Sequence, residues 1–498
     1  MKQDTRDRFR GYTESLSEED SDLLRTFFAE FDAHCLISAA EKRKLRSDFE
    51  RAIIYFSDAG LPLRRALERL DPANLGGFYA RPPVLWFPLD DAAKVYPLSM
   101  EQGRMSVFRL SVYLRRDVVP ELLQMALNFT IKRFPSFATT LKKGFFWHYL
   151  DTTKRRFCVE RESSVPCEPL RVARSGSQSF RVVYFANRIS VEFFHVLTDG
   201  TGGMIFLKSL AAEYLRLTGV SIPAGETVWD PNTEPDAEEF ENAFARVPLS
   251  QGASGFVERA AVQMSGELCK TKPCRIIHLK MSASALKSAA SKYHSTVTSF
   301  LLALMFIAGR TATDELHGEA SIQVPVNMRK FYPSRTVRNF SMYCGIRLPL
   351  DTKTDVASLA SDIDRQLRQK ASREAMSEML TATERLVAAL KYFPLALKQP
   401  AARLVYGFLG DRIFSNTLSN LGVVPLPAEM AEHIESMDFV LGTAITNRAC
   451  CALVTVGDTA TFSITKMTAD PTFEEKMHRL LSENGIPVTA EGSELYET

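Results

Sequence analysis

The chain has 498 residues, of which 45% are apolar and 24% charged, with a formal net charge of +2. That length exceeds one ordinary core, and the near-neutral balance lacks the basic bias of a nucleic-acid-binding protein. No apolar run reaches the ~18 residues of a membrane span, and the first residues lack the apolar core of a signal peptide.

Residues 1–80 read as entirely helical. Leu23, Leu24, Phe27, Phe28 and Phe31 recur at helical spacing, Ile53, Ile54 and Phe56 mark a second helix, and Leu61 to Leu70 a third. Asp71-Pro72 and Gly76-Gly77 end the region. It reads as a helical extension packed on the main body, with a partner-docking module as the alternative.

Mixed strand-and-helix order follows. Val84 to Leu89 is a short β-like run, Val107 to Leu114 a strand, and Pro120 opens a helix that runs to Phe134-Pro135. β-like runs at Phe145 to Leu150 and Phe180 to Phe185 precede an alternating stretch with Ile189, Val191, Phe193 and His195 on one face. The loop Thr198-Asp199-Gly200-Thr201-Gly202-Gly203 then leads into an apolar helix, Met204 to Leu215. Ile222 to Phe244, acidic and proline-bearing, reads as an inter-domain crossing.

The second half repeats this grammar. Cys274 to Met281 alternates as a strand, and Ser284 to Ala308 reads as two helices broken near His294-Ser295-Thr296. Ile322 to Val326 is a strand, and helical periodicity occupies Val356 to Leu380 and Glu384 to Phe393. Strands at Asp438 to Leu441, Ala449 to Val456 and Thr461 to Lys466, the last two joined by Gly457-Asp458, lead to a final helix, Phe473 to Leu481. The expectation is an α/β fold in two facing parts, residues 81–245 and 246–498, plus the helical extension.

The eight cysteines are scattered without a C-x-x-C pair, so they read as reduced thiols of a cytoplasmic protein and no metal site is expected. No G-x-S-x-G elbow, G-x-x-x-x-G-K-[ST] loop or strand-linked G-x-G-x-x-G occurs. The stretch with chemical promise is His195 to Gly203. A histidine whose ordinary pKa is ~6.5 offers a neutral ring near pH 7, and burial among Phe193, Phe194 and Leu197 would keep it neutral. Asp199 could lock the loop or the ring, and Gly200, Gly202 and Gly203 allow backbone to approach a ligand closely. The bland alternative is a strand histidine that happens to precede a glycine turn.

His195-Val196-Leu197-Thr198-Asp199-Gly200 resembles the H-x-x-x-D-G signature of acyltransferases of the chloramphenicol-acetyltransferase fold. Those include peptide-synthetase condensation domains, polyketide-associated acyltransferases and alcohol acetyltransferases, the last being closest. Further likeness lies in Ala289 to Ala303, in Val324-Pro325-Val326-Asn327-Met328-Arg329 and in Ser419-Asn420-Leu421-Gly422, so that it spans roughly residues 84–485.

The resemblance implies two subdomains facing across a tunnel, with His195 midway. His195 would be the general base that deprotonates an alcohol acceptor, which then attacks an acyl-CoA or phosphopantetheinyl thioester; an acyl carrier protein is a possible partner. Asp199 would make a structural salt bridge, and Gly200 would give the turn room. The arginine that holds Asp199 is open between Arg104, Arg109 and Arg133. Arg329, in a cluster with Lys330, Arg335 and Arg338, is a candidate for coenzyme phosphates against the alternative of a structural arginine. Asn420 either faces the tunnel or caps a turn, and Gly203 is the third expected substrate contact. His148 could line the acceptor pocket or be a buried strand residue; His294, at the helix junction, reads as structural. Amide formation from carrier-bound acyl groups and a non-catalytic binding protein on the same fold are the competing functions.

Overall fold

The computed structural model describes residues 2–80, 86–90, 93–94, 97, 105–152, 156–170, 178–252, 259–351, 355–398, 411–442, 447–493 and 496. Arg104 and the start of the expected strand, Val84-Leu85, lie outside these residues.

Four helices open the chain: α1 (Lys2–Glu14), α2 (Glu18–His34), α3 (Ala39–Asp58) and α4 (Leu63–Arg69). Serines cap α2 and α3, with Ser17 accepting from the Asp20 N–H and Ser38 from the Glu41 N–H, which satisfies donors that a helix start leaves orphaned. The apolar stripe of α3 faces α5 (Pro120–Thr130), where the Phe49 and Phe129 rings meet edge to face at 6.1 Å. Asp48, buried on α3, pairs with Arg156 and accepts from Asn128 of α5 at 3.1 Å. A buried carboxylate fixed from two sides makes the extension part of the body's core rather than a tethered module.

The strands before the motif are β1 (Trp86–Pro88), β2 (Val107–Leu114), β3 (Thr139–Lys143), β4 (His148–Thr152), β5 (Val159–Arg161), β6 (Phe180–Phe185) and β7 (Arg188–Phe194). Helix α6 (Gly200–Thr218) follows, ended by Gly219 at φ +103, the left-handed conformation that a helix C-terminus commonly requires of glycine. The rest comprises β8 (Arg275–Ser282), α7 (Ala283–Lys292), α8 (Val297–Thr311), β9 (Glu319–Asn327), β10 (Ser341–Pro349), α9 (Val356–Lys370), α10 (Arg373–Ala389), β11 (Asn416–Val423), α11 (Ala428–Ala431), β12 (Ile434–Leu441), β13 (Ala449–Val456), β14 (Thr459–Lys466), α12 (Thr472–Glu483) and β15 (Val488–Gly492). No described helix is long and apolar enough to cross a membrane.

Among the described residues the strands form three sheets, ordered β1-β4-β3, β12-β2-β7-β6-β5 and β10-β9-β11-β13-β14-β8-β15. The second part lends a strand to the first: β12 pairs antiparallel with β2, Phe439 opposite Leu110. Asp438 on this visiting strand accepts from Tyr113 Oη at 2.7 Å and lies 3.8 Å from His278 of β8, so the two larger sheets meet through it. The proline-bearing crossing is also pinned: buried Glu239 receives Arg133 (2.8 Å) from the first part and Arg335 (2.7 Å) from the second. Helix α8 is apolar all round and buried from Ser299 to Ala308, as its run of Leu, Met and Phe demands. His294 takes φ +51 in the short turn between α7 and α8, a structural position.

Candidate active site

Strand β7 ends at Phe194, and His195 is the next residue. Its N–H donates to the Ser106 carbonyl at 2.8 Å, continuing the β2–β7 ladder one step beyond the strand. The ring packs edge-on to Phe108, centroids 5.2 Å apart, and is only partly exposed. Burial lowers its pKa below the ordinary 6.5, while its own backbone carbonyl and the Asp199 charge pull the other way. The imidazole is therefore neutral at pH 7, the form that can accept a proton.

Asp199 caps α6, accepting from the Gly202 N–H at 3.0 Å. Its other oxygen accepts from Arg329 Nη1 at 2.7 Å and from the Phe340 N–H at 2.8 Å. Arg329 is thus the arginine that holds Asp199. Of the three candidates raised from the sequence, Arg109 instead bonds Glu162 (2.8 Å) and lies 3.1 Å from Glu192, and Arg133 bonds Glu239. Arg329 makes five hydrogen bonds, to Asp199, Asn327, the Arg338 carbonyl and twice the Thr336 carbonyl. That uses all five donors of a guanidinium and leaves none for a coenzyme phosphate. Arg335 and Arg338 are likewise engaged, with Glu239 at 2.7 Å and with Asp90 at 2.9 Å.

The second part grips the rest of the loop mainly through backbone. Thr198 Oγ1 donates to the Val337 carbonyl at 2.6 Å, and Asn327 Nδ2 donates to Thr201 Oγ1 at 3.2 Å. Gly202 sits so close that an added Cβ would lie 2.1 Å from the Val337 oxygen and 2.4 Å from Thr198 Oγ1. Gly202→Ala is therefore expected to cost about 2–3 kcal/mol, through overpacking and the displaced Thr198 bond, as a lowered denaturation midpoint will show. Gly200 faces the Leu421 side chain of β11, and a Cβ on Gly203 would meet the Phe193 ring at 3.0 Å, so these glycines serve packing.

Asn420 accepts from the Gly422 N–H at 2.8 Å and donates to Thr298 Oγ1 at 3.0 Å. It caps the turn at Gly422, whose φ of +71 breaks the β11–β13 register. His148 is buried in β4, and burial, with Lys143 nearby, pushes its pKa down to about 4. The contacts that sequence reasoning missed are the Val337 carbonyl, the Phe340 N–H and the Leu421 side chain. Two are backbone groups, which no residue type announces.

No protein-family model and no curated protein matches the sequence. Solved structures do match in shape. Polyketide synthase associated protein 5 from Mycobacterium tuberculosis aligns with TM-score 0.53 at 14% identity, over 79% of this chain and 97% of that one. TRI3 trichothecene 15-O-acetyltransferase from Fusarium sporotrichioides aligns at 0.51 and 13%, over 80% and 94%. F. sporotrichioides TRI101, solved with coenzyme A and T-2, aligns at 0.50 and 12%, over 82% and 99%. Likeness of this breadth at so low an identity identifies the fold alone: the chain shares the α/β fold of these three structures.

Proposed function

We propose that the protein transfers an acyl group from a coenzyme A or carrier-protein thioester to an alcohol, with His195 as general base. The observation that carries this is the His195 imidazole at the end of β7, packed on Phe108 beside a loop clamped by the Asp199–Arg329 pair. In the proposed reaction the ring takes the acceptor's hydroxyl proton as its oxygen attacks the thioester carbonyl. The tetrahedral intermediate then expels the thiolate, which recovers the proton from the imidazolium. Asp199 and Arg329 act as positioning residues, and the fold's record of acyl transfer in TRI3 supports the reaction class by analogy.

The test is release of free thiol from a panel of acyl-CoA and acyl-carrier donors with alcohol acceptors, products being identified by mass. No ester from any pair, or amide products alone, would set the reading aside. The pH profile is a second expected result. Because the His195 pKa is lowered, kcat/KM should be level near and above pH 7 and fall only below, with its inflection under 6.5. An inflection above 7 would point to a different base.

A further inference from the structure

Away from the motif, a cleft of about 800 Å3 opens between the β3–β4 hairpin and the C-terminal end of α10, and no residue from 195 to 203 lines it. Trp86, Phe146, Trp147 and Tyr149 wall it on one side, Val387 and Ala388 on the other. Its lining includes exposed aromatic side chains, Phe145 at 72% and Trp86 at 62%, and Tyr392, next in the chain to the lining Lys391, is 78% exposed. The two banks are joined, since Leu395 N–H donates to the Phe145 carbonyl and Lys398 Nζ to the Phe146 carbonyl, both at 2.9 Å.

Among the described residues, lysines outnumber carboxylates around the cleft. Lys94 and Lys391 line the cleft with one carboxylate, Glu384, and Lys143 ends β3. Exposed apolar surface of this kind marks a contact site, and aromatic side chains among lysines suit the headgroup–chain boundary of an anionic bilayer. A cleft within the ordinary range of ligand pockets suits an apolar chain better than a flat protein face. His148, whose buried Nε2 has no hydrogen-bond partner among the described residues, gives the cleft wall one polar contact. We propose that this face docks on an anionic lipid surface and draws a lipid chain into the cleft.

Flotation of the full chain with vesicles tests this, and it measures binding rather than turnover, so the result is independent of the role of His195. Two of the three tryptophans, Trp86 and Trp147, line the cleft, so their emission should shift to the blue on docking. Vesicles of phosphatidylcholine with phosphatidylglycerol should carry the protein, and phosphatidylcholine alone should bind at least about tenfold more weakly. The pairs Phe145→Ser with Tyr392→Ser, and Lys143→Glu with Lys391→Glu, should each lower binding at least about tenfold with unchanged unfolding midpoints. Absence of flotation, or flotation unaffected by both pairs, would overturn the proposal. Tryptophan quenching by dissolved dodecanoate without flotation would make the cleft a soluble-ligand site instead. Dimerisation lost in the serine pair, again without flotation, would give the face to a second copy.

Discussion

Replacing His195 by alanine is expected to lower kcat about 10²- to 10⁴-fold while leaving the fold in place. The ring packs edge-on to Phe108, while the backbone N–H holds the ladder to Ser106, so the main chain can stay when the side chain goes. What is lost, on the proposed mechanism, is the base at the strand end, whose pKa burial lowers. His195→Gln should fail equally, because an amide of similar reach cannot take the proton. Residual turnover would reflect positioning alone. Circular dichroism and the unfolding midpoint establish that the variants are folded; unchanged single-turnover rates in both would remove His195 from the chemistry.

Arg329→Ala is expected to act on stability first, by about 3–5 kcal/mol. The Asp199 carboxylate is almost fully buried, and the variant leaves it facing an empty space, with only the Gly202 and Phe340 N–H groups to hold it. Two backbone carbonyls, of Thr336 and Arg338, lose their donors at the same time. Arg329→Lys should recover little, since an ammonium cannot reproduce a planar fork serving Asp199, Asn327 and both carbonyls. Denaturant midpoints measure this. The competing role at a coenzyme phosphate predicts the reverse pattern, with KM for the acyl-CoA raised and the midpoint unchanged.

Much of this architecture was legible because burial leaves a pattern. The strands Val107–Leu114, Phe180–Phe185 and Ala449–Val456 agree residue for residue with apolar runs in the sequence. Where reading failed, the cause is specific. The expected helix from Val356 to Leu380 breaks instead after Lys370, where Ser372 caps α10 by accepting from the Ala375 N–H. No glycine or proline punctuates that point, so a serine cap was the signal. Strand β10 is marked by the alternation of Met342, Cys344, Ile346 and Leu348, whereas β15 is mostly exposed and carries no apolar pattern. The partner of Asp199 lay 130 residues away, beside a strand end already noticed for another reason. Spacing reports neighbours along the chain, and a salt bridge between two parts of a fold is a property of their docking.

The loan of β12 to the first sheet has a consequence for how the molecule is made. During synthesis the free edge of β2 emerges well before its partner, Ile434–Leu441, since 325 residues separate Tyr113 from Asp438. Until then a long apolar edge stands open, the kind of surface on which nascent chains pair wrongly or recruit chaperones. A cut at the crossing should therefore yield an amino-terminal fragment that aggregates alone and becomes soluble when the carboxy-terminal fragment is co-expressed to supply the missing strand.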